Sequence, residues 1–473
     1  MSSRRLFFNG LDGSTGRYLL PPMTPAQVAA VGLKAGAEGS EWRELLRKWQ
    51  AGDGSREPIF DCDSRNLAET GWGVVYAPCT PGRVKAALSD LLAHRRDLAE
   101  AGHHRSAYFQ EYEYRAGETA SQFLRRHGAK IGAAPDPDRV PYYLLLVGDP
   151  EAIPFTFQSG LDINYAVGRI HFDALEDYAS YARSVIDAES GRRRPRQPQQ
   201  VSFFGVRNEG DEATRRTADE LVRPLANLLT EPGKGWDVHA YLDGQADKAQ
   251  LARLLGGPDS PSLLFAACHG VGFPPDDERQ LARQGALVCQ DWPGPGDEEG
   301  VTQDQYFAAG DLSPDADLNG LVAFLFACYS AGTPARDNFE QSILGKPPEI
   351  APHAFVSPLC QRLLGHRNGG ALAVVGHVDR AWTTSFEGSS QGEGLDVFRN
   401  TLRRLLAGHT VGWAMEYFNQ AHAAMSAELS GLWEDQHLLT DIDPDWFSYL
   451  WLAQNDARNF VVFGDPAVRL AGA

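Results

Sequence analysis

Residues 319–332 read NGLVAFLFACYSAG, and this stretch decides the fold that we predict. The run from Leu321 to Ala327 is apolar without interruption, the pattern of a strand buried on both faces of a mainly parallel sheet. It ends at Cys328, and small or polar residues follow. A thiol at the carboxyl end of such a strand lies at the edge where open α/β folds bind ligands. A buried structural cysteine is the alternative, because free cysteine is among the most buried residue types.

A second stretch has the same form. Residues 261–270 read PSLLFAACHG, an apolar run that ends in His269 and Gly270. The chain between the two stretches has room for a crossover helix, so we expect parallel neighbouring strands with His269 and Cys328 at one edge. An imidazole promotes the thiolate, and the N–H of Gly270 is suited to hold a developing oxyanion. The two stretches together predict a nucleophilic dyad of Cys328 and His269.

The composition is that of an ordinary globular protein, with 43% hydrophobic and 22% charged residues. A length of 473 residues predicts two or three domains, and a net charge of −18 argues against a nucleic-acid surface. The six cysteines include no C-x-x-C pair, so no zinc ribbon or thioredoxin-like site is indicated. The first residues lack a signal-peptide core, and no apolar run reaches the length of a membrane span. We therefore expect a cytoplasmic protein with reduced thiols, without a membrane, nucleic-acid or cofactor partner.

Four regions follow from the pattern of strands and helices. Residues 1–68 are an irregular lead-in with helices predicted over 24–33 and 41–50; residues 69–189 form a first, non-catalytic α/β subdomain. Residues 190–200 are a basic linker, and residues 201–473 form the catalytic α/β subdomain. Alternating strands and helices predict doubly wound, mostly parallel sheets with helices on both faces.

The order of the two motifs resembles that of caspase-type cysteine peptidases, clan CD, a group that includes caspases, gingipains, separases and CHAT-domain proteases. Three further stretches resemble the gingipain and CHAT branch: LLLVGD at 144–149 followed by VGRI at 167–170, GGALAVVG at 369–376, and VFGDPAVRL at 462–470. The resemblance covers residues 70–473. It implies a caspase-like fold.

The resemblance also implies a cysteine endopeptidase that works through an acyl-enzyme. The sequence departs from the secreted gingipains in having no signal-peptide core, so we expect an intracellular enzyme. Cys328 would attack the scissile carbonyl, and His269 would act as general acid–base. The backbone N–H groups of Gly270 and Cys328 would form the oxyanion hole. No metal or cofactor is implied.

The strand after the nucleophile is implied to build the substrate pocket, from Gly376, His377, Asp379 and Trp382. Asp379 would select a basic side chain, whereas Arg380 would select an acidic one. The substrate preference therefore stays open. A surface ion pair is the alternative for each charge.

A protein substrate is expected. By analogy with bacterial relatives that cleave gasdermin-like or other defence effectors, we expect a regulatory or defence role. The polar segment 273–300 is suited to act as a lid that an activating partner or a cleavage rearranges.

Three alternatives compete with a caspase-type peptidase. One is a catalytically silent caspase-like scaffold, and another is a different cysteine hydrolase on an α/β fold. A metal site with Cys268, His269 and His377 is disfavoured, because adjacent residues of a strand point to opposite faces. Cys268 is interpreted as a core residue.

Overall fold

The computed structural model describes residues 5–35, 62–101, 108–129, 133–230, 235–296, 300–337, 339, 348–387, 393–437 and 442–471. These residues form a ten-stranded sheet, a four-stranded sheet and a two-stranded sheet, together with helices. Within the same residues, no helix combines the length and the apolar character needed to cross a membrane.

The strands, in chain order, are β1 (Gly10–Asp12), β2 (Trp72–Tyr76), β3 (Phe109–Glu113), β4 (Tyr143–Val147), β5 (Ala166–Ile170), β6 (Gln197–Gly205), β7 (Asp237–Leu242), β8 (Pro261–Ala267), β9 (Gly270–Gly272), β10 (Leu287–Val288), β11 (Tyr306–Phe307), β12 (Val322–Phe326), β13 (Gly332–Thr333), β14 (Phe355–Val356), β15 (Ala373–His377) and β16 (Phe460–Gly464).

The α-helices are α1 (Pro25–Ala35), α2 (Leu67–Thr70), α3 (Gly82–Ala87), α4 (Ser89–Ala99), α5 (Ala120–Arg126), α6 (Phe155–Asp162), α7 (Leu175–Glu189), α8 (Glu212–Arg216), α9 (Arg223–Leu229), α10 (Lys248–Leu254), α11 (Gln280–Arg283), α12 (Pro358–Leu364), α13 (Thr384–Glu387), α14 (Glu393–Leu406), α15 (Val411–Ala414), α16 (Glu416–His437) and α17 (Pro444–Asn459). A π-helical turn, Thr217–Val222, joins α8 to α9, and short 3₁₀ turns lie at Asp243–Gln245, Gln303–Gln305 and Ala309–Asp311.

The large sheet has the strand order β3-β2-β4-β5-β16-β15-β12-β8-β6-β7. Strands β3, β2, β4 and β5 are parallel to one another, as are β15, β12, β8, β6 and β7. Strand β16 lies between β5 and β15 and is antiparallel to β15. The predicted mostly parallel α/β fold is confirmed. Strands of both predicted α/β subdomains share this one sheet, and the boundaries between those subdomains stay a prediction.

Helices cover both faces of the sheet, as strand β4 illustrates. Tyr143 and Leu145 pack in one cluster with residues of α4 and α7, whereas Leu144 and Leu146 pack in another with residues of α5 and α6. All five residues of β4 are buried. Burial on both faces removes any polar side from the strand, which explains its continuous apolar sequence.

Most of the predicted elements are confirmed, with shifted ends. The helix predicted over 24–33 is α1, and the hydroxyl of Thr24 accepts the N–H of Gln27 in its first turn. A helix that the sequence also favours over 41–50 lies outside the described residues. The described part of segment 273–300 contains α11 and β10, so it is more ordered than its polar composition predicts. Its role as a lid stays a prediction.

A buried ion pair ties the end of β16 to the first α/β unit. The carboxylate of Asp465 accepts a hydrogen bond from Nε of Arg95 at 2.6 Å and another from the indole N–H of Trp72 at 3.0 Å. The Arg95 and Asp465 side chains are 1% and 0% exposed. Glu189 accepts the other two nitrogens of the same guanidinium, at 2.7 Å each, so without Asp465 the buried charge of Arg95 keeps one carboxylate partner and loses the other.

Asp465→Ala is therefore expected to lower the free energy of unfolding by about 1.5–3 kcal/mol, measured by urea denaturation. Asp63→Ala is the control, because Asp63 forms a largely exposed ion pair with Arg65. This variant should change stability little. Equal losses from the two variants would contradict the prediction.

Candidate active site

Strands β8 and β12 bring His269 and Cys328 to one edge of the large sheet. The two strands are parallel neighbours, with Ala267 paired with Phe326 at their carboxyl ends. His269 and Cys328 each lie two residues beyond this pair, and both are completely buried. The predicted placement of the two residues follows from the strand pairing. Cys268 is also completely buried and belongs to the main apolar cluster, in agreement with its interpretation as a core residue.

The thiol of Cys328 accepts a hydrogen bond from the backbone N–H of Ala381 at 3.1 Å. Burial raises the pKa of the Cys328 thiol well above its ordinary value, although this N–H and the charge of Arg380 act in the opposite direction. Burial therefore favours the neutral thiol over the thiolate. A base would be needed for this thiol to act as a nucleophile.

Gly270 allows the backbones of the two strand ends to meet. A Cβ atom at this position would lie 1.8 Å from the carbonyl oxygen of Cys328, so no larger residue fits without a backbone shift. The N–H groups of Gly270 and Cys328 both donate, at 3.2 Å each, to the carbonyl oxygen of Asn9. Two backbone donors that converge on one carbonyl oxygen have the arrangement of an oxyanion hole.

The imidazole of His269 is held on several sides. Its Nε2 lies 2.5 Å from Oδ2 of Asp211, and its ring meets the edges of Tyr18 and Trp292 at centroid distances of 5.9 and 5.8 Å. Its Nδ1 is buried and has no hydrogen-bond partner among the described residues. A carboxylate on Nε2 fixes the tautomer in which Nδ1 carries the lone pair. This nitrogen is therefore the one available to act as a base.

Asp211 is a buried carboxylate at the N-cap of α8. It accepts the N–H of Ala213 at 3.1 Å and the hydroxyl of Thr214 at 2.8 Å, and the phenol of Tyr18 donates to it as well. Burial by itself would raise the pKa of Asp211, but the charge of His269 and these side-chain hydrogen bonds outweigh it and lower the pKa. Asp211 therefore stays ionised and orients the imidazole.

Asp211→Asn is expected to lower kcat of peptide cleavage by about 10²–10⁴-fold and to leave KM nearly unchanged. The amide keeps the N-cap but no longer favours the tautomer with a free Nδ1. Steady-state kinetics provide the measurement, and the melting temperature controls for folding. An unchanged kcat, or a loss confined to KM, would contradict the positioning role.

The sequence contains a signal for Asp211 that motif reasoning missed. Strand β6 is the parallel neighbour of β8, with Gly205 paired with Ala267. An N-cap aspartate shortly after β6 therefore falls at the same edge as His269. This inference needs the strand order, which the sequence does not specify.

His377 and Gly376, two of the residues predicted to bind substrate, have structural contacts. Nε2 of His377 lies 3.0 Å from a carboxylate oxygen of Asp456, and its Nδ1 lies 3.2 Å from the carbonyl oxygen of Asp379. A Cβ atom on Gly376 would lie 2.9 Å from Oγ of Ser330. Both ring nitrogens of His377 are thus engaged within the fold.

The opposite charges of Asp379 and Arg380 are held by their neighbours. The guanidinium of Arg380 forms a buried two-point ion pair with Asp337, with one contact of 2.9 Å. Nη1 of Arg380 lies 3.5 Å from Asp379. Burial raises the pKa of Asp379, and the charge of Arg380 opposes this shift. A role for either charge in substrate selection stays a prediction.

Trp382 directly follows Ala381, whose N–H donates to the thiol of Cys328. Its ring packs against Phe8 and Phe339, both at 5.1 Å between centroids. Phe8 belongs to the lead-in, for which the sequence predicts no role, and the structure brings this part of the chain to Cys328. Among the described residues, no group of three or more His, Cys, Asp and Glu side chains is arranged to hold a metal ion.

The model of one protein family, Peptidase family C25, matches residues 73–471. The chain belongs to peptidase family C25. Membership confirms the resemblance to gingipains and indicates a cysteine peptidase. No curated protein matches this C25 chain.

Two solved structures are similar to the C25 chain. One is described as "Structure of Protease", with 13% sequence identity, 85% of this chain and 78% of that chain covered, and a TM-score of 0.49. The other is the complex of Porphyromonas gingivalis RgpB pro- and mature domains, with 14% identity, 85% and 80% coverage, and a TM-score of 0.44.

Proposed function

We propose that this protein is a cysteine endopeptidase with Cys328 as nucleophile and His269 as general acid–base. One observation carries the proposal: the N–H groups of Gly270 and Cys328 converge on a single carbonyl oxygen at the nucleophile. A carbonyl held in this way is polarised, and its oxygen is stabilised as charge develops on it.

The proposed reaction runs as follows. Nδ1 of His269 takes the proton of the Cys328 thiol, and the thiolate attacks the carbonyl carbon of the substrate. The two N–H groups stabilise the oxyanion, a contribution of about 10²–10³-fold in rate for each donor. His269 then protonates the leaving amine, and water hydrolyses the thioester. Asp211 keeps Nδ1 directed to these proton transfers.

The edge formed by residues 381–383 supports an extended peptide as the substrate. The carbonyl of Ala381 accepts the N–H of Asn9 at 2.8 Å, and the N–H of Thr383 donates to the carbonyl of Phe7 at 3.1 Å. Residues 7–9 of the chain thus form main-chain hydrogen bonds with this edge. This is strand addition, in which main-chain hydrogen bonds provide affinity and side-chain pockets provide specificity. An internal segment of a protein meets these requirements.

The proposal extends to a protein substrate inside the cell and to a regulatory or defence role, by analogy with the bacterial relatives described above. An activating partner belongs to the same proposal. Substrates among gasdermin-like or other effector proteins would fit this role.

A peptide library derived from a proteome tests the proposal. Wild-type protein and Cys328→Ala are each incubated with the library, and new termini are identified by mass spectrometry. We expect cut sites that appear only with the wild type and share a preferred residue before the cut. No cleavage by folded wild-type protein, with genomic neighbours also supplied as substrates, would favour the silent scaffold instead.

A further inference from the structure

Residues 6–12 lie across the candidate active site, with a bend at Asn9 between the bridge at Phe8 and strand β1. The N–H of Asn9 donates to the carbonyl of Ala381 at 2.8 Å, and the N–H of Thr383 donates to the carbonyl of Phe7 at 3.1 Å. Between these two bonds, Phe8 forms an antiparallel bridge with Trp382. The segment therefore occupies the edge where an extended substrate would bind.

The peptide bond between Asn9 and Gly10 lies at the reacting atoms. The carbonyl oxygen of Asn9 accepts both oxyanion donors, the N–H groups of Gly270 and Cys328. On the other side of the bond, a Cβ built on Gly10 would lie 3.0 Å from Sγ of Cys328. The thiol is thus next to the bond whose carbonyl is polarised, so Asn9 is in the position of the residue before a cut.

The side chain of Asn9 fills a fitted polar pocket. It is completely buried, and its Nδ2 donates to the hydroxyl of Thr217 at 3.0 Å. That hydroxyl in turn donates to the carbonyl of Ala213 at 2.9 Å. Thr217 opens the π-helical turn between α8 and α9, a backbone feature that is frequent at functional sites. A buried hydroxyl that must accept a hydrogen bond disfavours any side chain that has no N–H or O–H group to donate to it.

The chain on the two sides of this bond is held differently. Residues 10–12 form β1, which pairs along its length with β9, and Tyr18 farther along donates to Asp211. Residues 6–9 are held by main-chain bonds to residues 381–383 and to the oxyanion donors, by the pairing of Leu6 with Met23, and by the buried side chains of Phe8 and Asn9. A cut after Asn9 would therefore leave β1 and Tyr18 attached to the site, independently of residues 6–9.

We infer that the protein cleaves its own chain between Asn9 and Gly10, and that Thr217 selects asparagine before the cut. This inference rests on the proposed function. Sγ of Cys328 forms a bond to the carbonyl carbon of Asn9, and the bond from that carbon to the nitrogen of Gly10 breaks. The nitrogen takes a proton from His269 and becomes the amino terminus of Gly10. Water then hydrolyses the thioester, which yields the carboxylate of Asn9 and regenerates the thiol.

Cell-free synthesis of the full chain, followed over time by intact-mass spectrometry and terminal sequencing, tests the inference. Wild-type protein is expected to acquire a terminus that begins at Gly10. Cys328→Ala is expected to remain intact, which also excludes spontaneous cleavage at the Asn-Gly sequence.

Two variants test the role of Thr217 and of the asparagine. Thr217→Val removes the hydroxyl with little change in volume, and Asn9→Gln moves the amide outward by one methylene group. Each is expected to slow the appearance of the Gly10 terminus by about tenfold or more, because a buried polar group loses its partner. Thr15→Ala, at an exposed position three residues beyond the segment, is the control and should leave the rate unchanged. Melting temperatures identify any variant that fails to fold.

The outcomes separate this inference from the proposed function. If wild-type protein cleaves the peptide library while its own bond after Asn9 stays intact, self-cleavage is overturned and the peptidase proposal stands. If folded wild-type protein cleaves neither, both are overturned. A Gly10 terminus that forms equally fast in Thr217→Val would overturn the selection of asparagine by Thr217.

Discussion

Cys328→Ala is expected to reduce peptide cleavage to background, and His269→Ala to reduce it by about 10²–10⁴-fold. The first variant removes the atom that forms the thioester, and the second removes the base that takes its proton. Both side chains are completely buried at the ends of neighbouring parallel strands. Initial rates on the best peptide from the library provide the measurement.

Cys268→Ala is the matched control for these variants. Cys268 is next to His269 in the sequence but lies in the apolar core, and burial raises the pKa of its thiol well above the ordinary value. Its loss should lower stability by about 1 kcal/mol and leave most of the activity. Full activity in folded Cys328→Ala would contradict the assignment of the nucleophile.

The second large effect is expected from Gly270→Ala. The new Cβ would lie 1.8 Å from the carbonyl oxygen of Cys328, and a backbone atom in a packed strand cannot move aside as a flexible side chain can. The shift would separate the N–H groups of Gly270 and Cys328 from their shared acceptor. We expect kcat to fall by about 10²–10³-fold or more, the contribution of one oxyanion donor.

Gly272→Ala is the control for this substitution, on the same short strand. There the nearest atom to a new Cβ is a methyl carbon of Leu19, at 2.9 Å, which can rotate away. Activity should stay close to that of the wild type. If the two variants lose activity equally, strand β9 as a whole, rather than the oxyanion hole, would be the sensitive element. Circular dichroism and melting temperatures establish that both variants are folded.

Local sequence was sufficient to predict the strands that carry His269 and Cys328. Residues 263–267 and 321–327 are continuously apolar because helices cover both faces of the sheet. Each run ends where the chain leaves the sheet, so the position of His269 and of Cys328 followed from the same pattern. The N-cap of α1 was likewise predictable, because Thr24 and Gln27 interact within one helical turn.

The residues that contact His269 and Cys328 come from distant parts of the chain. Asp211 reaches His269 because β6 is the neighbour of β8, and Asn9 reaches Cys328 because an early segment crosses the cleft. Strand order and chain path depend on the packing of the whole sheet, which no local pattern encodes. Asp337 is a further example, since it neutralises Arg380 from 43 residues away.

The sequence by itself determined the fold class and the two residues that we propose to react. Both follow from short apolar runs, because every residue of a strand that is buried on both faces must be apolar. Only the tertiary structure decided what surrounds them. Asp211 contacts the imidazole of His269, Asp337 pairs with Arg380, and the peptide bond after Asn9 lies at the thiol of Cys328. These depend on contacts between segments far apart in sequence, and the energy of such contacts arises only once the sheet has assembled.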